Sequence, residues 1–147
     1  MVDHKLIIED LTRWIDLNLD PKLNIEIIAT RSGYTKWHIQ RMFRKINHVS
    51  MIHYIRTRLL EKAAIEITKN NDNISEIAKR YGFSSQQSFN RAFKRSFNIT
   101  PGAYRTCIKY NIFPTCKNKC ISTNVYNEIS YHITYHFMDF ISHKNYF

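Results

Sequence analysis

The chain has 147 residues, with 22 Lys and Arg against 12 Asp and Glu, so its formal net charge is +10. Three glycines and three prolines are too few for the tight turns of an all-β protein, and no uninterrupted apolar run exceeds three residues, which excludes a membrane-spanning helix. The N-terminus has no signal-like apolar stretch and the cysteine count is odd, so we expect a cytoplasmic protein without a disulfide framework. The excess of basic over acidic residues predicts a polyanionic partner.

The positive charge is concentrated in two blocks. Residues 36–58 and residues 79–106 each contain six basic and no acidic residues, whereas residues 1–35 and 59–78 are each net −2. Surface charge that serves only solubility usually mixes both signs, so two matching blocks indicate two basic surfaces on an acidic scaffold.

The N-terminal third of the chain predicts a helix near residues 5–19, with Trp14 on its apolar side, and then a helix-turn-helix over about 24–47. Asn24 is a suitable N-cap for a short helix near 25–31, and Gly33 provides the turn. Thr35 is the predicted N-cap of the second helix, near 36–47.

A single long helix is predicted between the two basic blocks, over about 51–68. Ser50 is a suitable N-cap, and Ile52, Ile55, Leu59 and Ala63 recur at helical spacing. Eighteen residues in a helix span about 27 Å. This is comparable to the roughly 34 Å between successive major grooves on one face of DNA.

The second helix-turn-helix, over about 73–97, repeats the first at an offset of 49 and then 50 residues. Asn73 corresponds to Asn24 and Gly82 to Gly33, and the predicted helices lie near 74–80 and 85–97. Ser84 is the predicted N-cap of the last helix. The fold class is therefore all-α, with two helix-turn-helix subdomains joined by a long central helix.

The outward faces of both second helices carry Arg, Lys, Gln and Asn but no carboxylate. Arg, Gln and Asn can pair with base edges in a major groove, and Lys and Arg with phosphates. We interpret Trp37, beside Gln40 and Arg41, as part of this face rather than of the core. The predicted DNA-binding residues are Lys36, Trp37, Gln40, Arg41, Arg44, Lys45, Gln86, Gln87, Asn90, Arg91 and Lys94.

Residues 32–43 and 77–94, followed by Thr100-Pro101 and Tyr104-Arg105, resemble the two recognition helices of the AraC/XylS family, in particular its small MarA/SoxS/Rob-like activators. The resemblance covers about residues 5–106 and implies a homeodomain-like, AraC-type DNA-binding domain over 1–106. It further implies a monomeric transcription activator of stress and multidrug-resistance genes, which binds asymmetric promoter sites on double-stranded DNA and works with RNA polymerase.

The same resemblance assigns roles to particular residues. Trp37, Gln40 and Arg41 would read bases in the first groove, and Gln86, Gln87 and Arg91 would contact DNA in the second. Small members of the family lack the sugar-binding arm of larger relatives, so the resemblance leads us to expect no small-molecule effector. We also expect no cofactor, no membrane contact and no enzymatic activity.

Residues 107–147 fall outside the resemblance and predict a poorly ordered, aromatic-rich tail rather than a separate domain. Apolar and polar residues alternate over 129–137 with the period of a strand, but no partner strand is predicted. Cys116, Cys120, His132 and His136 approach the spacing of a Cys₂His₂ zinc site, one residue short and without the core of a finger, so no metal is predicted.

Two alternatives stay open at this stage. The chain could be a non-specific nucleic-acid-binding protein, which would show the same basic faces but no preference for a promoter sequence. It could instead be a zinc-binding protein that uses the cysteines and histidines of the tail.

Overall fold

A computed structural model describes residues 4–110, and this part of the chain folds into seven α-helices without a strand. The helices are α1 (His4–Leu17), α2 (Ile25–Ser32), α3 (Lys36–Asn47), α4 (Met51–Lys69), α5 (Ile74–Arg80), α6 (Gln86–Phe97) and α7 (Pro101–Tyr110). The all-α prediction is confirmed for these residues. None of the seven helices is long and apolar enough to cross a bilayer. The strand-like pattern and the Cys/His set of the tail lie outside the described residues, and the division at 106/107 stays a prediction.

Equivalent residues cap the first helix of each copy and form the turn that follows it. The side chains of Asn24 and Asn73 cap α2 and α5 by accepting backbone hydrogen bonds within the first turn. Gly33 and Gly82 follow these helices with φ angles of 71° and 77°, a left-handed conformation that glycine adopts without strain from a Cβ atom. The repeat in the sequence is therefore a repeat of backbone geometry.

The N-cap of α6 differs from the prediction, because Ser85 and not Ser84 occupies that position. The Ser85 hydroxyl accepts a hydrogen bond from the Ser88 N–H at 3.1 Å, and the Ser88 hydroxyl accepts one from the Ser85 N–H at 3.3 Å. This reciprocal arrangement is a capping box. The extra residue of the second copy precedes the cap, so Ser85 is the equivalent of Thr35, which caps α3.

Helix α4 contributes to two hydrophobic cores, one from each half. Met51, Ile55 and Leu59 in the first half are buried with residues of α1, α2 and α3. The second half contacts α5 and α6 and buries Leu60, Ala63, Ala64 and Ile67. Ile52, one of the four apolar residues at helical spacing, is 59% exposed, whereas Ile55, Leu59 and Ala63 are buried. We call α1–α3 with the first half of α4 module 1, and the second half of α4 with α5, α6 and the start of α7 module 2.

Aromatic rings fill the core of module 2. Phe93 is fully buried, and its ring centroid lies 5.6 Å from that of Phe89, 4.4 Å from that of Phe97 and 5.5 Å from that of Tyr104. Phe83 extends the cluster with an edge-to-face contact to Phe89 at 5.1 Å. Such pairs add about 0.5–1.5 kcal/mol each to the effect of burial, so they fix α6 against α7.

Direct contacts also join the two modules. The Arg56 guanidinium lies 5.9 Å from the centroid of the Phe83 ring. Pro21, in the loop between α1 and α2, packs so closely on Gly82 that an added Cβ would lie 2.8 Å from the Pro21 Cβ. A cavity of about 120 Å³ beside these contacts is lined by residues of both modules. It is smaller than a typical ligand pocket, which measures about 300–1,000 Å³.

Candidate nucleic-acid interface

Helix α3 separates a buried apolar side from an exposed basic side. Ile39, Met42 and Phe43 are buried in module 1, and this burial fixes the rotation of the helix about its axis. All six residues predicted on its outward face are exposed: Lys36, Trp37, Gln40, Arg41, Arg44 and Lys45. Trp37 is 66% exposed, so it is not a core tryptophan.

Trp37 and Arg41 form a pair on this face. The Arg41 guanidinium lies 5.2 Å from the centroid of the Trp37 ring. An exposed cation–π contact stabilises by about 0.5–1 kcal/mol, enough to bias the side-chain rotamers. Two of the three residues predicted to read bases in the first groove are thus held together before any DNA binds.

Lys36 has a partner that the sequence did not predict. Its ammonium group lies 2.6 Å from a carboxylate oxygen of Glu26, in the first turn of α2. The hydrogen bond from Lys36 lowers the pKa of the Glu26 carboxyl below its ordinary value, so this group stays charged at neutral pH. The two residues are ten positions apart, and no helical spacing rule links them.

Helix α6 presents the corresponding face of module 2. Phe89, Phe93 and Phe97 are buried, and the opposite side exposes Gln86, Gln87, Arg91 and Lys94. Asn90 differs from the prediction in degree, because it is half-buried at the edge of this face. Its Oδ1 atom is buried and has no hydrogen-bond partner among the described residues.

One arginine of the first basic block faces the protein interior. Arg58 is largely buried and donates from Nε to Asp16 at 2.9 Å and from a terminal nitrogen to Glu61. Asp16 also accepts a hydrogen bond from the Tyr54 hydroxyl at 3.0 Å. This network ties α1 to α4 and removes Arg58 from the charge available to a partner.

Two arginines of the second block are also engaged. Arg80 pairs with Glu66 and, at 3.1 Å, with Asp72. Arg105 donates to the backbone carbonyl oxygens of Ile67, in the last turn of α4, at 3.0 Å and of Asp72, in the loop that follows, at 2.6 Å. With Lys36 and Arg58 paired in the first block, each block retains four exposed basic residues without an acidic partner in the described region: Arg41, Arg44, Lys45 and Arg56, and Lys79, Arg91, Lys94 and Arg95.

Comparison with known proteins identifies the family. A family model described as a helix-turn-helix domain matches residues 28–106. The chain is 46% identical over 104 residues to Regulatory protein SoxS of Escherichia coli K12, a match that covers 71% of this chain and 97% of SoxS. The chain belongs to the AraC/XylS family. It is also 40% identical over 112 residues to Transcriptional regulator Rob of Salmonella typhimurium, covering 76% of this chain and 39% of Rob, which confirms the predicted MarA/SoxS/Rob branch.

Solved structures agree on the fold of this AraC/XylS family member. The DNA-binding domain of AdpA, solved in complex with a target DNA, superposes with a TM-score of 0.63 at 21% identity, over 71% of this chain and 94% of that domain. Membership in the family makes the chain a DNA-binding transcription regulator.

In this AraC/XylS family member, three exposed basic residues of the two charge blocks have no acidic partner in the described region and were not among the predicted site residues. Arg56 lies in α4, Lys79 in the last turn of α5 and Arg95 in α6. All three belong to the basic blocks of the sequence. The predicted site residues, however, came only from the outward face of the second helix in each copy. Phosphate contacts in helix-turn-helix proteins also come from flanking elements, and the charge blocks were the signal that indicated them.

Proposed function

We propose that this chain is a sequence-specific transcriptional activator that binds asymmetric promoter sites as a monomer, with α3 and α6 in successive major grooves. The observation that carries the proposal is the pair of repeat-equivalent helices, each with an exposed face of Arg, Lys and Gln and no Asp or Glu in its sequence. These are the side chains that contact guanine, adenine and phosphate.

The length of α4 supports binding to successive grooves. Its 19 residues span about 28 Å, close to the roughly 34 Å between major grooves on one face of a duplex. Residues of both halves of α4 are buried in cores, so it acts as a rigid connector. DNA bending, at about 1–6 kcal/mol, would absorb the remaining mismatch. The two copies follow each other in one chain and impose no two-fold axis, which favours a monomer on an asymmetric site.

Each face divides into base-reading and phosphate-binding residues. Trp37, Gln40 and Arg41 read bases in the first groove, and Gln86, Gln87 and Arg91 contact the second. Of the remaining predicted residues, Arg44, Lys45 and Lys94 bind phosphates, and Lys36 and Asn90 flank the groove. Resemblance to the SoxS and Rob branch supports activation through RNA polymerase at stress and multidrug-resistance genes, without a small-molecule effector.

The test begins with genome-wide mapping of bound sites, followed by affinity measurements on a mapped promoter and on random duplex DNA at the same salt concentration. Arg41→Ala and Arg91→Ala should each weaken promoter binding by about 1–3 kcal/mol and relax the preference at one base position. Arg13→Ala is the matched control, because Arg13 is exposed on α1, outside both faces.

Two results would contradict the proposal. Wild-type affinity in Arg41→Ala and Arg91→Ala would show that the site assignment is wrong. Equal affinity of the wild type for promoter and random DNA would favour the non-specific nucleic-acid-binding protein.

A further inference from the structure

The ion pair between Lys36 and Glu26 sets one residue of the candidate interface apart from the rest. Among the eleven predicted DNA-binding residues, Lys36 alone has a carboxylate partner within residues 4–110. The side chains of both members are more than half exposed, at 57% for Lys36 and 56% for Glu26. The pair therefore lies on the surface that would face DNA, and packing of the core does not require it.

Module 2 lacks the corresponding pair. The repeat places Ser75 at the position of Glu26 and Gln86 at the position of Lys36, and both of these residues are uncharged. The same helix-turn-helix geometry thus forms without an ion pair between its two helices. The fold therefore does not require an ion pair at this place. Because Lys36 lies on the exposed basic face of α3, the position of the pair supports a role in binding.

The position of Lys36 is the reason that its charge matters. Lys36 is the first residue of α3, at the helix end whose N–H groups and dipole favour phosphate. A phosphate there would compete with Glu26 for the Lys36 ammonium group, and the Glu26 carboxylate would lie next to the negatively charged backbone of DNA. An exposed glutamate carboxyl is ionised near neutral pH with or without Lys36, so protonation does not remove this charge.

We propose that Glu26 is a positioning residue of the interface, which holds Lys36 away from phosphate and so lowers the sequence-independent affinity of module 1 for DNA. Binding by module 1 then depends more on its base-reading residues than on backbone charge. This inference rests on the proposed function, because it assumes that α3 faces DNA.

The experiment measures the salt dependence of binding for Glu26→Gln in the full chain, on a promoter fragment and on random duplex DNA. If the released Lys36 makes one additional phosphate contact, the slope of log K against log salt concentration becomes more negative by about 0.9. This corresponds to about fivefold tighter binding at 0.15 M salt. We expect this change on both DNAs. Glu26→Ser, which installs the residue found in module 2, should give the same result and serves if Glu26→Gln folds poorly.

Glu76→Gln is the matched control. Glu76 lies in the first turn of α5, as Glu26 lies in the first turn of α2, but it has no basic partner in the described region. It reports the effect of removing one negative charge from the protein. The Glu26→Gln/Lys36→Gln double variant should return the slope to the wild-type value, since the released lysine is gone.

Two outcomes would overturn the inference. The first is a slope in Glu26→Gln and Glu26→Ser no steeper than in Glu76→Gln. The second is a loss of about 0.9 in slope from Lys36→Gln alone, because Lys36 would then contact phosphate in spite of Glu26. Failure of the proposed function is distinguishable, since it would appear as a wild type that binds promoter and random DNA equally, whatever the slopes of the variants.

Discussion

Modules 1 and 2 share a backbone plan but stabilise it with different side chains. Tyr54 and Tyr104 are equivalent in the repeat, yet Tyr54 donates a hydrogen bond to Asp16 whereas Tyr104 packs its ring against Phe93. Module 1 combines an aliphatic core with a half-buried ionic network, and module 2 depends on a cluster of aromatic rings. Turn geometry and the outward face are thus the shared features, and each core is an independent solution to the same packing problem.

The test with the largest expected effect replaces one of two equivalent phenylalanines, one in each core. Phe43 and Phe93 are both fully buried, so Phe43→Ala and Phe93→Ala should each lower the free energy of unfolding by about 3–5 kcal/mol. We expect Phe93→Ala to cost more, because its ring contacts three aromatic rings, whereas Tyr54 is the only aromatic ring against Phe43 among the described residues. Urea unfolding of the full chain measures both.

If either alanine variant does not fold, the Phe→Leu pair gives the same comparison at lower cost. An equal loss at the two positions would mean that the aromatic contacts of module 2 add nothing beyond burial. A larger loss at Phe43 would mean that module 1, and not module 2, depends more strongly on its buried phenylalanine ring.

The second test compares the two glycine turns. Alanine in the left-handed conformation costs about 1 kcal/mol, and this is the whole cost expected for Gly33→Ala, since a Cβ there meets nothing within 4 Å. At Gly82 the new Cβ would also clash with Pro21 at 2.8 Å, and overpacking typically adds about 1–3 kcal/mol. Gly82→Ala should therefore lower the free energy of unfolding by about 2–4 kcal/mol.

A double-mutant cycle with Pro21→Gly isolates the clash, because that change removes the Cβ of Pro21. The cost of Gly82→Ala should fall toward that of Gly33→Ala in the Pro21→Gly background. Without such coupling, the contact between the modules would not restrict position 82.

The sequence predicted those parts of the fold that depend on neighbours along the chain. N-caps and left-handed turns are local, so Asn24, Asn73 and the two glycine turns could be identified from residue type and spacing. A stripe of residues at a spacing of four is buried along all of α4, from Met51 to Ile67, whereas Ile52 beside it is exposed. Which positions next to such a stripe are covered depends on the helices that pack against it, so the spacing in the sequence could not show it.

The candidate site was predictable to the same extent and for the same reason. The exposed faces of α3 and α6 follow from amphipathic periodicity, so ten of the eleven residues are exposed as predicted and only Asn90 is half-buried. The partner of Lys36 was not predictable, because Glu26 belongs to another helix and approaches it only after folding. Similarly, the charge count could not show that Arg58 and Arg105 bind within the protein.

The smallest expected difference concerns the two equivalent tyrosines. Tyr54→Phe removes a hydrogen bond to a carboxylate that retains Arg58, so it should lower the free energy of unfolding by about 1.5 kcal/mol. Tyr104→Phe should cost less than about 0.5 kcal/mol, because the Tyr104 hydroxyl has no hydrogen-bond partner among the described residues. Urea unfolding at pH 7 measures both, and equal costs would mean that the link between α1 and α4 does not stabilise module 1.

Alkaline pH extends this comparison. Burial, together with the negative charge of Asp16, raises the pKa of Tyr54 above its ordinary value of 10, and burial alone raises the pKa of Tyr104. A raised pKa means that the unfolded chain ionises first, so this contribution to stability is complete below pH 10 and is lost as the pH rises beyond it. Tyr54→Phe should therefore flatten the decline in unfolding free energy above pH 10 more than Tyr104→Phe does. An equal flattening would show that burial accounts for both shifts and that the carboxylate in module 1 adds no measurable part.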